Sequence, residues 1–412
     1  MNSDLLGHLC YNMDMEMIIN ILSRRFQKRP KASFRSDRLE REKNNPKKRA
    51  SPRHFAPNNK HLPLIFILVI TLMACTNQTV TPLPPVLTAT QITETSAQID
   101  LYFSDPDDPN AGSYRGGPDE ALAQAIRDAE FSVDAAIYHL NLWSIRDALI
   151  AVHEAGVQVR IVAESDNLDE IEIQELEQAG IEVLGDRRES LMHNKFVVID
   201  GLDVWTGSMN FTVNGAYRND NNLIHIRSTK LAENYTVEFD EMFVADMFGD
   251  NAIPQTPNPK LTIDGVPIEN YFSPDDGTED YIVTAIQNAE ESVYFLAFSF
   301  TSDPIAAALL DVATAGIMVA GVFEESQYHS NTGTEYDNLL AAGLDVRLDG
   351  NQSNMHHKIF IIDGKTVITG SYNFSRSAEE RNDENTLIIH DPEIAILYLA
   401  EFEHVFEKAR QP

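Results

Sequence analysis

The chain carries one eleven-residue pattern twice, as LMHNKFVVIDG at 191–201 and as NMHHKIFIIDG at 354–364. Around these segments the repeat is wider. YFSDPDD from Tyr102 answers YFSPDDG from Tyr271, EAGVQVRIVAES answers TAGIMVAGVFEE, and LEQAGIEVLGD answers LLAAGLDVRLD. From His193 to Ile226 the copies align with His356 to Ile389 at a constant offset of 163 residues. A chain that repeats itself over this length must fold as two like lobes, because each copy brings its own apolar periodicity. With 412 residues there is chain enough for two cores.

Each copy reads in the same order: amphipathic helix, apolar strand, helix ending at Gly, strand, short helix ending at Ala-Gly, strand, and then the motif segment. In the second copy, DPIAAALLDVATAG starts with Asp303 as N-cap and Pro304 in the first turn, and stops at Gly316. Strands alternating with helices imply an α/β fold, each lobe holding a mixed, mostly parallel sheet flanked by helices. The two lobes, 99–250 and 268–412, are expected to relate by a pseudo-two-fold. The proline-rich segment within 251–267 would join them.

The motif segments carry the chemistry. In both, His, Lys and Asp fall at the spacing H-x-K-x4-D, followed after six intervening residues by G-S-x-N. Residues two apart on a strand share a face, so His193 and Lys195 point the same way, as do His356 and Lys358. Asp200-Gly201 and Asp363-Gly364 are tight-turn signals, which fold each segment back as a hairpin. The return strands bring Asn210 and Asn373 toward the His-Lys ends. Two such patches facing each other would surround a phosphodiester with two imidazoles, two ammoniums and two amides. This arrangement calls for no metal and no cofactor. His357, next to His356, would point to the opposite strand face and take a structural or exposed place.

The paired segments resemble those of the phospholipase D superfamily over about residues 99–410, most closely its compact nuclease and cardiolipin-hydrolase branch. The resemblance implies that His193 is the nucleophile that forms a phosphohistidine, and that His356 is the general acid which afterwards activates water. Lys195, Lys358, Asn210 and Asn373 would hold the phosphate oxygens, Ser208 and Ser371 would order that shell, and Asp200 and Asp363 would be supporting residues. The family also places a carboxylate downstream to orient an imidazole. Glu384 fits that role in the second copy, but Asn221 stands in the aligned place of the first, with Asp220 just before it. Two arrangements stay open: Glu384 serves His193 of the opposite lobe, or Asp220 turns into the missing role. His139, Glu164, Arg218 and Arg381 are weaker candidates for the cavity mouth or the phosphate side.

Charge bears on the substrate. Residues 1–75 hold 14 of the 32 Lys and Arg but only 6 of the 63 Asp and Glu, leaving 18 basic and 57 acidic side chains for residues 76–412. Such a body raises the cost of approaching any polyanion, a nucleic acid or an anionic membrane alike, though a local basic pocket can override it at short range, and no basic stripe flanks the motifs as a nucleic-acid binder would need. Phospholipid hydrolysis is therefore the leading expectation, with an endonuclease, a phosphatidyltransferase and a non-catalytic binding module as alternatives.

The N-terminal region adds an address. Residues 1–61 are basic and without apolar periodicity, which suits disorder or a start codon set too far upstream. LPLIFILVITLMA at 62–74 is short for a membrane span and has the length of a signal core. It ends in LMAC, which resembles the lipobox of bacterial lipoproteins, with Cys75 as the lipid-attachment residue. Residues 76–98 are rich in Thr and Pro and read as an extended tether. An extracytoplasmic enzyme anchored to a bacterial cell membrane is expected, and a monomer would already hold a complete site.

Overall fold

The computed structural model describes residues 93–96 and 98–410. The basic segment 1–61, the apolar run at 62–74, Cys75 and most of the Thr/Pro-rich stretch lie outside the described residues. The first lobe holds strands β1 (Thr93–Ser96), β2 (Ile99–Phe103), β3 (Ser132–Ile137), β4 (Gln158–Ala163), β5 (Glu182–Gly185), β6 (Lys195–Ile199), β7 (Asp203–Gly207) and β8 (Asn222–Arg227). They form one sheet in the order β1-β2-β8-β7-β6-β3-β4-β5. The second lobe repeats it with β9 (Lys260–Ile263), β10 (Val266–Ser273), β11 (Ser292–Ala297), β12 (Met318–Phe323), β13 (Asp345–Leu348), β14 (Lys358–Ile362), β15 (Thr366–Gly370) and β16 (Glu384–His390). Its order, β9-β10-β16-β15-β14-β11-β12-β13, is the same topology eight strands later.

The sheets are mixed as expected but not mostly parallel. Among the described strands only β3-β4-β5 and β11-β12-β13 pair in parallel, across the helices α1 (Trp143–Glu154) and α2 (Ile171–Gln178) in the first lobe and their counterparts in the second. The remaining pairings are antiparallel. The reason lies in the motif segment, which starts at the end of the sheet where β5 finishes, so β6 must run back against β3. Two expected boundaries also move. β1 occupies 93–96 of the stretch read as tether, and β9 with the start of β10 occupies the second half of the linker read at 251–267, where each serves as an edge strand.

Both faces of the motif strands are buried. In β6, Phe196 and Val198 face a central core shared by the two lobes, whereas Val197 and Ile199 face the outer core of the first lobe. Ile359 and Ile361 of β14 likewise face the centre, and Phe360 and Ile362 face the outer core of the second lobe. The central core is completed by helices α3 (Thr229–Phe243) and α4 (Pro392–Lys408). This explains why the motif strands read as apolar runs without alternation.

The aspartates of the two motifs hold the far ends of these strands. Asp200 and Gly201 both have positive φ (55° and 61°), as do Asp363 and Gly364 (54° and 59°), which is the hairpin turn that matches strand twist. The Asp200 carboxylate accepts the N–H groups of Glu130, Phe131 and Ser132 at 2.9, 2.7 and 2.9 Å. Asp363 repeats this with Glu290, Glu291 and Ser292. Asp200→Ala is expected to lower stability by about 2–3 kcal/mol, since three donors lose a charged acceptor. Urea unfolding with an unchanged slope would report it, and a shift below half that would mean that the turn stands without its carboxylate.

Candidate active site

Each histidine is fixed by the opposite lobe. The His193 N–H donates to Asp383 O at 3.0 Å while the Asp383 N–H donates to Leu191 O at 3.0 Å. The second crossing mirrors it, with His356 N to Asp220 O and Asp220 N to Asn354 O, both at 2.9 Å. These short bridges suture the motif segments to the segments before β16 and β8. They bring the two His-Lys pairs to one place between the sheets.

The imidazoles receive unlike partners. His193 Nδ1 lies 2.7 Å from Glu384 Oε2, and His356 Nδ1 lies 2.9 Å from Asn221 Oδ1. Asn221 is oriented from both sides: its Nδ2 donates to Gly215 O at 3.0 Å, and Ser208 Oγ donates to its Oδ1 at 3.0 Å. The neutral amide oxygen is thus presented to His356, which keeps a proton on Nδ1. Of the two arrangements open in the sequence, the structure has the crossed one. Asp220 does not turn into the role of the carboxylate. Its backbone braces His356, and its own carboxyl bonds to Asn351.

Lys195 and Lys358 are each 1% exposed. The Lys195 ammonium donates to His193 O at 2.6 Å, and Lys358 to His356 O at 3.0 Å, with His356 Nε2 a further contact at 3.3 Å. His193 and His356 stand just before β6 and β14, and each lysine reaches back to the carbonyl of its histidine. Behind each pair stands an aromatic ring. Tyr138 meets His193 edge-on with centroids 4.6 Å apart and lies 4.6 Å from the Lys195 ammonium. Phe298 does the same for His356 at 4.4 Å and Lys358 at 4.8 Å. These walls exclude water and stabilise the cations through their ring faces.

Sequence reasoning missed both rings and singled out the residue after the first of them, His139. The signal was present, because Tyr138 and Phe298 occupy the aligned place in the two copies. His139 instead pairs with Glu170 and is partly exposed. Arg218 bonds Asn214 and Tyr114, and Arg381 offers its carbonyl to Arg188. Glu164 accepts the N–H of Met192 at 2.8 Å, so it steadies the residue before His193, whereas Glu324 caps its own helix. Ser371 accepts the N–H of Asn385 at 3.0 Å and bonds Glu384, which makes it the counterpart of Ser208. Asn210 and Asn373 follow the ends of β7 and β15, and each leaves a buried Oδ1 without a partner.

The glycine of G-S-x-N has a steric reason. Gly207 and Gly370 both have φ of 146°, and a Cβ there would stand 2.4 Å from Asn222 O and 2.1 Å from Asn385 O. Beneath the site, His357 is buried and bonds Glu401 at 2.9 Å, the twin of Asn194 with Glu238. Asn385 ties Asn194, Thr206 and Tyr235 together across the lobes, so this layer is a structural floor.

Burial dominates the electrostatics. It presses both imidazoles well below their ordinary value, and the two ammoniums add to the effect. Burial also lowers Lys195 strongly and brings Lys358 down to about 7, against the pull of Glu384. Glu384 is pushed up to about 8 by burial, with Lys195 the main opposing group. A site of buried cations so short of counter-charge favours an anion, which would restore the lysines to their charged forms. Sulfate binding at pH 8 is therefore expected to take up roughly one proton, and less at pH 6, where Lys358 is already charged. Calorimetry in buffers of different ionisation enthalpy measures this, and sulfate binding without proton uptake at pH 8 would contradict the assignment.

Comparison with known proteins agrees with this geometry. The family model described as "Cardiolipin synthase, PLD-like domain" matches residues 122–243 and 282–406, once in each lobe. The chain is 32% identical over 160 residues to a phospholipase D of Rickettsia bellii, covering 37% of this chain and 79% of that one. It is 33% identical over 129 residues to a mitochondrial cardiolipin hydrolase of Chlamydomonas reinhardtii, covering 31% of this chain and 54% of the relative. Among solved structures, the phosphatidylserine synthase of Haemophilus influenzae superposes with a TM-score of 0.60 at 12% identity, over 79% of this chain and 90% of its own, which shows the shared fold. With a family match in each lobe and both His-Lys sets brought together between the sheets, the chain belongs to the phospholipase D-like family.

Proposed function

We propose that the protein is a phosphodiesterase that hydrolyses phospholipids without a metal ion, through a phosphohistidine on His193. The carrying observation is the unlike pairing of the two histidines. In the reactive state His193 holds its proton on Nδ1 against ionised Glu384, which leaves the Nε2 lone pair free. Attack forms the N–P bond and places positive charge on the imidazole, where Glu384 can balance it across 2.7 Å. With the substrate phosphate supplying counter-charge, His356 carries protons on both nitrogens, and backed only by the neutral amide of Asn221 it gives up the Nε2 proton to the leaving alkoxide as the P–O bond breaks. The now neutral His356 then takes a proton from water. The resulting hydroxide attacks phosphorus, and His193 Nε2 departs with the bonding pair. Lys195 and Lys358, with the Asn210 and Asn373 amides, hold the non-bridging oxygens.

A phospholipid rather than a nucleic acid is favoured by the acidic body, with 57 acidic against 18 basic side chains beyond residue 75. The names of the relatives, phospholipase D and cardiolipin hydrolase, point the same way. We further propose that Cys75, at the end of the apolar run, carries a lipid anchor that keeps the site within tether reach of a bilayer. Release of head group or of phosphatidic acid from phosphatidylcholine and cardiolipin vesicles in EDTA tests the substrate. Cleavage of single-stranded nucleic acid with no lipid turnover would replace this reading with a nuclease. Loss of labelled-palmitate incorporation in Cys75→Ser would support the anchor, and retention would remove it.

A further inference from the structure

The two crossings that flank the site are built from the same parts, with one exchanged. In the first, Arg188 reaches into the opposite lobe. Its Nη1 donates to Arg381 O at 2.9 Å, its Nη2 pairs with the buried Asp383 carboxyl, and its guanidinium lies 5.6 Å from the centre of the Phe248 ring. At the offset of 163, the twins of Arg188, Arg381 and Asp383 are Asn351, Arg218 and Asp220. Asn351 keeps the twin contact, Nδ2 to Arg218 O at 3.1 Å, and also bonds Asp220, but it is shorter and carries no charge.

A cavity of about 510 Å³ opens at this second crossing, lined among others by Asp220, Arg218, Asn351, Ser353, Asp107 and Lys408. Asp220 in its wall is 6% exposed, and burial raises its carboxyl above the ordinary range. The cations in the lining are committed elsewhere. Arg218 donates to Asn214 Oδ1 and Tyr114 OH, each at 3.0 Å, and Lys408 bonds Asp107 and His404. The buried carboxyl that Arg188 serves in one crossing therefore has an amide as its hydrogen-bond partner in the other, with His357 and Lys408 acting on it only through space, beside an opening of ligand size.

We propose that this cavity binds a small guanidinium compound, whose planar fork pairs with Asp220 where the Arg188 group stands in the twin crossing. A guanidinium suits the site better than an ammonium because the fork can engage both a carboxylate and a neighbouring carbonyl. Occupancy would bear on the active site. Asp220 O accepts the His356 N–H at 2.9 Å, and the next residue, Asn221, holds the His356 ring. This inference is independent of which phosphodiester the enzyme cleaves.

Agmatine is the probe, titrated by calorimetry into the protein, Asn351→Arg and Asp220→Asn. One saturable site is expected in the unaltered protein, weakened at least tenfold in both variants, with cadaverine binding more weakly than agmatine. Asn351→Arg, which supplies the missing group internally, is also expected to raise the unfolding temperature. The absence of saturable agmatine binding, or binding of equal strength in all three proteins, would overturn the proposal. So would a lowered unfolding temperature in Asn351→Arg.

Discussion

His193→Ala is expected to lower phosphodiester turnover by roughly 10⁴-fold or more, because in the proposed mechanism it removes the group that forms the covalent intermediate and no neighbour can replace it. The fold should survive, since His193 is held through backbone bridges that alanine retains. His356→Ala is expected to behave differently on an activated substrate. With a nitrophenyl leaving group the first step needs little acid help, but the second step loses its base. A burst of about one nitrophenol per protein should precede the block, with the phosphoryl group trapped on His193. Peptide mapping that found the label on His356 in the unaltered enzyme would reverse the two roles.

Glu384→Gln is the second large effect, expected at about 10²–10³-fold in turnover, typical for the loss of one preorganised electrostatic partner. The substitution is nearly isosteric, and its amide oxygen can still accept from His193 Nδ1. What it loses is the negative charge that balances the phosphoimidazolium. Because Glu384 is fully buried and burial pushes its carboxyl up to about 8, a neutral amide should fold at least as well. A drop in activity with an unchanged or raised unfolding temperature separates this role from a structural one. Activity within threefold of the unaltered enzyme would show that the charge on Glu384 is dispensable. Asn221→Asp, by contrast, should slow the acid step by holding the proton on His356.

Much of this site was readable in one dimension because the chain repeats. The constant offset aligned His193 with His356, Glu384 with Asn221 and Asp200 with Asp363, and the Asp-Gly dipeptides announced hairpins whose turn residues do have positive φ. What misled was the direction of the motif strand. Strand-helix alternation suggested parallel neighbours, but direction depends on where the preceding loop leaves the chain, and no local pattern records that. The aromatic walls were overlooked for a similar reason, since Tyr138 and Phe298 sit at strand ends where an aromatic more often fills a core.

The sequence by itself determined the duplication, the α/β elements, the identity of the two His-Lys sets and the turns that close their hairpins, because these follow from spacing within a short stretch of backbone. Only the tertiary structure decided that Glu384 faces His193 while Asn221 faces His356, that Asp220 braces a backbone instead of an imidazole, and that Arg188 reaches Asp383 of the opposite lobe. Each of these joins residues more than a hundred positions apart across the lobe interface. Such contacts arise from how two buried sheets pack, and chain-local periodicity carries no information about that packing.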